Sequence, residues 1–287
     1  MPELPEVETV RRQLQQYLPG KKVATVEVFH SKTVGHSETI EADLYEHTIS
    51  AIDRVGKLLI FSFLNAPDLY LLAHLKMTGQ FFFVDDSVIT GGGHTYQSTE
   101  LNHLPNRHTR LTIHFSDHTQ LHFNDMRLFG YVRVANATAM EQARSQFGPE
   151  PIAPDFTSDT VVARLSKRTS PIKAVLLDQS LIAGLGNIYV DETLWAAKVR
   201  PSRRANRLSK AQATEICEHA RTILTQAIAA GGTTFKNFLD TGGQHGNYTD
   251  YLHVFGKQGT PCPRCGTTIT KVKLAGRGTH FCPGCQR

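Results

Sequence analysis

The sequence predicts an α+β chain in several parts: an N-terminal β-sandwich with a helix at its start, a mostly helical second part, and a small C-terminal hairpin. Three observations predict this. Short runs rich in β-branched and aromatic residues, separated by Asn, Asp, Gly or Pro, fill the first 135 positions. From FGPEPIAP onward the apolar spacing becomes helical. Four of the five cysteines fall within the last 26 residues. Boundaries drawn on these changes are 1–135, 136–250 and 251–287.

Taken in order, residues 5–18 read as a helix: Pro5 suits its first turn, Val7, Val10 and Leu14 with Tyr17 or Leu18 form its apolar stripe, and Pro19-Gly20 ends it. KVATVEV, KLLIFSFL, LYLLAHL, GQFFFV, RLTIHF, QLHF and YVRVA follow as strands, the pattern of a sandwich. Between Val84 and Arg110 lies a polar stretch containing Gly91-Gly92-Gly93, which reads as a mobile surface loop. VVARLSKR, IKAVLLDQSLI, NIYVDETLWAAK and SKAQATEICEHARTILTQAIAAGG then read as helices. The last opens with Ser209 and Gln212 at capping-box spacing, stops at Gly231-Gly232, and buries Ile216, Ala220, Ile223, Leu224 and Ala227. Cys217 lies beside that stripe and reads as a small core residue.

Composition excludes several classes. With 40% apolar and 20% charged residues, the 287-residue chain is neither disordered nor fibrous. Its length suits about two domains with cores of their own, and a smaller third unit needs a staple. No apolar run approaches the roughly 18 residues that span a bilayer. The opening MPELPEVE also lacks the basic start and apolar stretch of a signal peptide, so a soluble, cytoplasmic protein is expected. The formal charge is +5, but residues 251–287 hold Lys257, Arg264, Lys271, Lys273, Arg277 and Arg287 and no acid, so the tail carries +6 and the remainder −1. A second acid-free stretch, Lys198 to Lys210, holds six more basic residues. Such runs are common on solvated surfaces; two of them suggest a polyanionic partner.

Cys262-x2-Cys265 and Cys282-x2-Cys285, sixteen residues apart, form two knuckles that can each offer two thiolates to one tetrahedral ion, the spacing of a zinc ribbon. One structural Zn2+ is expected, clamping the base of a hairpin in which TITKVKL runs out, Gly276-Arg277-Gly278 turns with Arg277 at the tip, and THFC returns. No thioredoxin-like pattern surrounds the cysteines, and no redox cofactor or nucleotide is expected. Gly184-Leu185-Gly186-Asn187 puts two glycines and a capping Asn before a helix; this is either a tight interhelical turn or a phosphate site made of free backbone N–H groups. At the N-terminus, Met1 precedes the small residue Pro2 and is expected to be removed. The exposed secondary amine is a nucleophile; where a primary amine attacking a sugar C1′ gives an imine that can lose its proton, proline can give only a cationic iminium. Alternatively, Pro2, Pro5 and the acids Glu3 and Glu6 simply start and cap a helix.

Together these residues resemble the formamidopyrimidine-DNA glycosylases, bacterial enzymes that excise oxidised purines. The resemblance runs through MPELPEVETV, Gly56-Lys57, HLKMTG, NDMRLFG, FGPEP, AGLGNIYVDE, GGTTFKNFL, CPRCG and GRGTHFCPGCQ. It implies an N-terminal β-sandwich, a helix-two-turns-helix domain and a zinc finger, with double-stranded, damaged DNA as partner, a monomeric state and a place in the bacterial cytoplasm at the nucleoid. It further implies Pro2 as Schiff-base nucleophile, Glu3 as proton donor to the opening sugar, Lys57 in β-elimination and Arg277 in δ-elimination. His108, Arg127, Arg168 and Asn187 would hold phosphates. Met77, Arg127 and Phe129 would fill the gap left by an extruded base.

The chain departs from the family pattern in three places. Val254-Phe255-Gly256-Lys257 stands where Val-Tyr-Gly-Arg is usual, losing a hydroxyl and exchanging a forked donor for a point charge. The stretch between Val84 and Arg110 is longer, and Arg107-His108 replaces a Lys-His pair. Two alternatives stand beside this reading. An endonuclease VIII-type glycosylase acts on oxidised pyrimidines, though Leu4 and Glu6-Val7-Glu8-Thr9 favour the purine enzyme. A non-catalytic zinc-finger DNA-binding protein would retain Met1.

Overall fold

The computed structural model describes residues 2–85, 88–92, 103–233 and 248–287. They fall into two compact units: Met1–Ser145 with a later segment beginning at Gly231, and Gln146–Ala230 with Tyr248–Arg287.

In the first unit helix α1 (Leu4–Tyr17) begins at Glu3, whose side chain caps the N–H of Glu6 while the Glu6 side chain returns to the N–H of Glu3. A capping box built of two acids also suits the positive end of the helix dipole. Val7, Val10 and Leu14 form its buried stripe, as the spacing predicts. The strands are β1 (Val23–Val28), β2 (Ile49–Val55), β3 (Leu58–Phe63), β4 (Ala66–His74), β5 (Gly79–Asp85), β6 (Val88–Gly92), β7 (Thr109–Phe115), β8 (Gln120–Asp125) and β9 (Tyr131–Ala135). They form two antiparallel sheets, in the orders β1-β7-β8-β5-β6 and β2-β3-β4-β9. Every second residue enters the shared core: Leu59, Phe61 and Phe63 from one sheet, with Phe81, Phe83, Leu111, Ile113, Leu121 and Phe123 from the other. Phe61 meets Phe81 edge to face at 5.8 Å, and truncating either costs about 3–5 kcal/mol.

The stretch from Val84 to Arg110 is not one loop. Val88–Gly92 returns as β6 along β5, with Val84 opposite Ile89 and Phe81 opposite Gly92, and Arg110 already belongs to β7. Residues 93–102 lie outside the described residues. Two short helices, α2 (Ile40–Leu44) and α3 (Ala137–Ser145), have no counterpart in the sequence reading.

The second unit contains α4 (Ser158–Leu165), α5 (Ile172–Leu176), α6 (Asn187–Ala196) and α7 (Lys210–Ala229). Helix α6 is buried on every side from Tyr189 to Trp195 and is the axis of the helical core. The segment IKAVLLDQSLI is helical only to Leu176, because the Asp178 carboxylate takes the N–H and hydroxyl of Ser180 at 3.0 and 2.7 Å and turns the chain. Helix α7 carries the expected capping box, Gln212 N–H to Ser209 Oγ at 3.2 Å and Ser209 N–H to Gln212 Oε1 at 3.1 Å. Cys217 is fully buried, which pushes its thiol up to about 12. The unit ends in a hairpin of β10 (Thr270–Leu274) and β11 (Arg277–Phe281). Among the described residues no helix is long and apolar enough to cross a membrane.

Candidate functional site

At the head of α1, Pro2, Glu3 and Glu6 are all buried. Glu6 works with both oxygens: Oε2 accepts the Glu3 N–H at 2.8 Å, and Oε1 accepts the N–H and hydroxyl of Thr233 at 2.8 and 3.0 Å. A Cβ on Gly232, at φ +81°, would stand 2.7 Å from Glu6 Oε1, so only glycine lets the chain pass here. This buried carboxylate therefore fixes the backbone beside Pro2. The rest of the GGTTFKNFL motif, from Thr234, lies outside the described residues.

Gly56 and Lys57 form the two-residue turn between β2 and β3, with Val55 paired to Leu58. Lys57 is only 5% exposed. Leu58 pairs with His74, and burial, followed by the charges of Lys76 and Lys57, pushes the His74 imidazole down to about 3. His74 is thus neutral, its Nδ1 accepting the Lys76 N–H at 3.0 Å.

Met77, Arg127 and Phe129 come together on one surface. The Arg127 guanidinium reaches Met77 Sδ at 3.1 Å and lies 4.8 Å from the Phe129 ring centroid. Asp125 holds this loop from beneath: its carboxylate accepts the N–H of Arg127 at 3.1 Å, that of Gly130 at 2.7 Å, and the Thr78 hydroxyl. Leu128 adopts a left-handed conformation, and a Cβ on Gly130 would press against Phe123 and Asp125. Phe129 is left exposed as a result. His108 is adjacent, its carbonyl accepting the Asp125 N–H at 2.9 Å and its Nε2 accepting from Arg107 Nε at 3.0 Å.

In the second unit Gly186, not Asn187, is the N-cap of α6. The Asn187 amide instead donates to the Gly278 carbonyl of β11 at 3.1 Å. The same carbonyl accepts from Lys173 Nζ at 3.0 Å, and Lys173 is paired with Asp191 at 2.6 Å with both side chains fully buried. Asp191 also accepts the His280 N–H at 2.8 Å. These contacts lock β11 to the helical core beside Arg277. Arg277 itself is exposed, but it is not the tip: Ala275 and Gly276, both left-handed, make the turn, and Arg277 opens β11. Arg168 stands exposed against Asp178 at 3.3 Å, an ion pair of little energetic weight.

The four sulfurs of Cys262, Cys265, Cys282 and Cys285 lie within 4.8 Å of one another. Bonds of 2.3 Å in a tetrahedron put sulfurs about 3.8 Å apart. The observed separations of 3.3 and 3.9 Å bracket that value. Thiolate donors in this shape suit zinc. Trp195 Nε1 donates to Cys262 Sγ at 3.4 Å, and Arg264 lies 4.0 Å from the Trp195 ring and donates to Cys285 Sγ at 3.6 Å. His253 stacks on Trp195 at 4.1 Å. Phe255 packs edge-on to His280 at 4.8 Å, so the ring of the missing tyrosine is retained without its hydroxyl.

Three family descriptions match the chain in succession: the formamidopyrimidine-DNA glycosylase N-terminal domain over residues 1–132, its H2TH domain over 147–238, and the zinc finger found in FPG and IleRS over 259–287. The formamidopyrimidine-DNA glycosylase of Listeria innocua is 42% identical across all of both chains, and that of Streptococcus pneumoniae 39% across all of this chain and 99% of its own. This chain belongs to the formamidopyrimidine-DNA glycosylase family. Among solved structures it is similar to Lactococcus lactis Fpg in complex with abasic-site DNA, with 37% identity, 99% of each chain covered and a TM-score of 0.86. The same protein bound to N7-benzyl-Fapy-dG DNA gives 38% identity over all of both chains and the same TM-score.

As a formamidopyrimidine-DNA glycosylase, the chain has the family's β-sandwich, helix-two-turns-helix domain and zinc-finger hairpin, and the four cysteines hold one structural zinc ion. The sequence reading missed Glu6 as a clamp on Thr233, Asp125 as the holder of the Arg127 loop, and the buried Lys173–Asp191 pair. Glu6, Asp125 and Asp191 each fall inside a motif of the sequence, MPELPEVETV, NDMRLFG and AGLGNIYVDE, but the partners that give them these roles are distant in the chain.

Proposed function

We propose that this protein is a bifunctional DNA glycosylase and AP lyase of base-excision repair, removing 8-oxoguanine and formamidopyrimidines from duplex DNA. Its support is the placement of Pro2 and Glu3, buried at the head of α1, in a chain matched from end to end by the family. In this reading the segments 1–135, 136–250 and 251–287 act as catalytic, helical DNA-binding and zinc-finger domains of a cytoplasmic monomer.

The target nucleotide must leave the stack, at a cost of a few kcal/mol, before its C1′ can be reached. Met77, Arg127 and Phe129 fill the space it vacates, which offsets part of that cost. The Pro2 nitrogen, freed of Met1, forms a bond to C1′ as the glycosidic bond breaks; the electron pair of that bond departs with the base, which takes up the proton that the amine gives up. Glu3 gives a proton to O4′ as the sugar ring opens. The resulting iminium acidifies the C2′ hydrogen, whose loss expels the 3′-phosphate with Lys57 assisting, and a second elimination supported by Arg277 expels the 5′-phosphate. His108, Arg127, Arg168 and Asn187 hold phosphates. Zinc only orders the finger.

Duplexes carrying 8-oxoguanine opposite C are expected to be cleaved at least about ten-fold faster than those carrying an oxidised thymine opposite A, a difference of roughly 1.4 kcal/mol at the transition state. The reverse ranking overturns the purine assignment.

Contacts that position can be separated from contacts that extrude. Arg168→Ala is expected to weaken binding to damaged and undamaged duplex alike and to reduce the slope of log K against log salt by roughly 0.9. Met77→Ala is expected to slow excision while leaving that slope unchanged. With circular dichroism establishing that both variants are folded, equal losses at every salt concentration and on every substrate would refute this division.

A further inference from the structure

We propose that Arg54, held by Glu8, is a positioning residue for Lys57, setting the peptide that aims the lysine relative to the helix that begins at Pro2. The inference rests on the assignment of Lys57 to β-elimination. Arg54 is the penultimate residue of β2, and its side chain is only 6% exposed. Its Nε donates to Glu8 Oε2 at 3.0 Å, while Nη1 donates to the Gly56 carbonyl at 2.8 Å. That carbonyl belongs to the peptide joining Gly56 to Lys57, so one guanidinium ties α1 to the plane from which the Lys57 side chain departs.

The turn needs such a tie. Gly56 sits at φ +56° and has no Cβ to restrict it, so a Gly-Lys turn left alone is soft. Glu8 is a firm anchor. Besides Arg54, its carboxylate accepts from Arg11 Nε and Nη2 at 3.0 and 2.9 Å and from Arg12 Nε at 2.8 Å. Burial alone would raise the Glu8 pKa, but the hydrogen bonds from Arg11, Arg54 and Arg12 outweigh it and bring it down to about 2, so the anchor stays charged. Arg54 meets the carboxylate and the carbonyl from two different nitrogens held in one plane, Nε and Nη1, whereas a lysine at position 54 would have to reach both from a single ammonium nitrogen on a flexible stem. A displacement of 1 Å at a reacting group costs on the order of a hundred-fold in rate.

The test is a double-mutant cycle on duplex carrying a preformed abasic site, under single-turnover conditions, with wild type, Arg54→Lys, Lys57→Ala and the double variant. Elimination by Arg54→Lys is expected to slow by about ten-fold to a hundred-fold. Its borohydride-trapped fraction and DNA affinity should stay within about two-fold of wild type, because Pro2 and the phosphate contacts are untouched. The double variant should eliminate no more slowly than Lys57→Ala alone, since Arg54 acts through Lys57. If Arg54→Lys does not fold, Glu8→Gln, which keeps the shape and removes the charge that holds Arg54, enters the cycle with the same expectations. Wild-type elimination in the folded variant overturns the proposal, as does a double variant that loses the product of the two single losses. Wild-type elimination by Lys57→Ala removes the assignment of Lys57 itself, and the proposal with it.

Discussion

Borohydride trapping of the protein on abasic-site DNA is expected to vanish when the nitrogen of Pro2 is blocked, whether by acetylation or by retained Met1. A blocked nitrogen has no lone pair for C1′, and strand cleavage should fall by on the order of 10³-fold or more, the scale of losses on removing a covalent nucleophile. Pro2→Gly keeps an amine and should retain part of the activity. A primary amine gives an imine that can shed its proton, whereas the proline adduct stays cationic and remains an electron sink throughout elimination. Binding of the blocked protein to the same duplex should change little, because Glu6 holds the backbone at Glu3 and Thr233 without help from the Pro2 nitrogen. Mass spectrometry identifies the N-terminus in each sample. Undiminished trapping by the blocked protein would remove Pro2 from the mechanism.

Removing zinc, or replacing a ligand as in Cys262→Ser, is expected to melt the hairpin and weaken binding to lesion duplex by more than about 10²-fold. The finger's own apolar cluster consists of Trp195, Val254, Cys262, Ile269 and Cys282, and two of these five are metal ligands. So small a core cannot order a β-hairpin alone. Structural zinc contributes about 10–16 kcal/mol in isolated finger peptides, and that free energy is here the folding energy of the tail. The β-sandwich has a separate core running from Val7 to Val132, and its circular dichroism signal should survive chelation. A chelated protein that binds lesion duplex with undiminished affinity would show that the finger takes no part in DNA binding.

What could be read from the sequence was what neighbouring residues decide. The stripe and caps of α1 and α7 and the two cysteine knuckles are local patterns, and the structure has them where the spacing puts them. Strand β2, ISAIDRV, was not legible because Asp53 and Arg54 interrupt its alternation, and the carboxylate that neutralises Arg54 there, Glu8, lies 46 residues earlier. Strand β6 ends in two glycines and gains its order by pairing with β5. Helix α3 buries no residue, so it carries no apolar stripe to read. Asn187 looked like a cap because Asn favours that position, but Gly278, 91 residues later, offers its amide a carbonyl. In the site, the cysteines and the head of α1 could be recognised from residue type and spacing. The roles of the buried carboxylates Glu6, Glu8, Asp125 and Asp191 could not, since a buried charge is defined by the long-range partners that make it tolerable.

Trp195 is the chain's single tryptophan. Its indole N–H lies on a zinc-ligating sulfur, and its ring is flanked by His253 and Arg264. The protein thereby carries a built-in fluorophore at one spot, the junction of helix α6 and the finger. As metal leaves and the hairpin loosens, the indole meets more water and its emission is expected to shift to the red, and excitation at the long-wavelength edge of the indole band, where tyrosine absorbs little, isolates that signal. Metal loading can therefore be followed optically, without label or chelating dye.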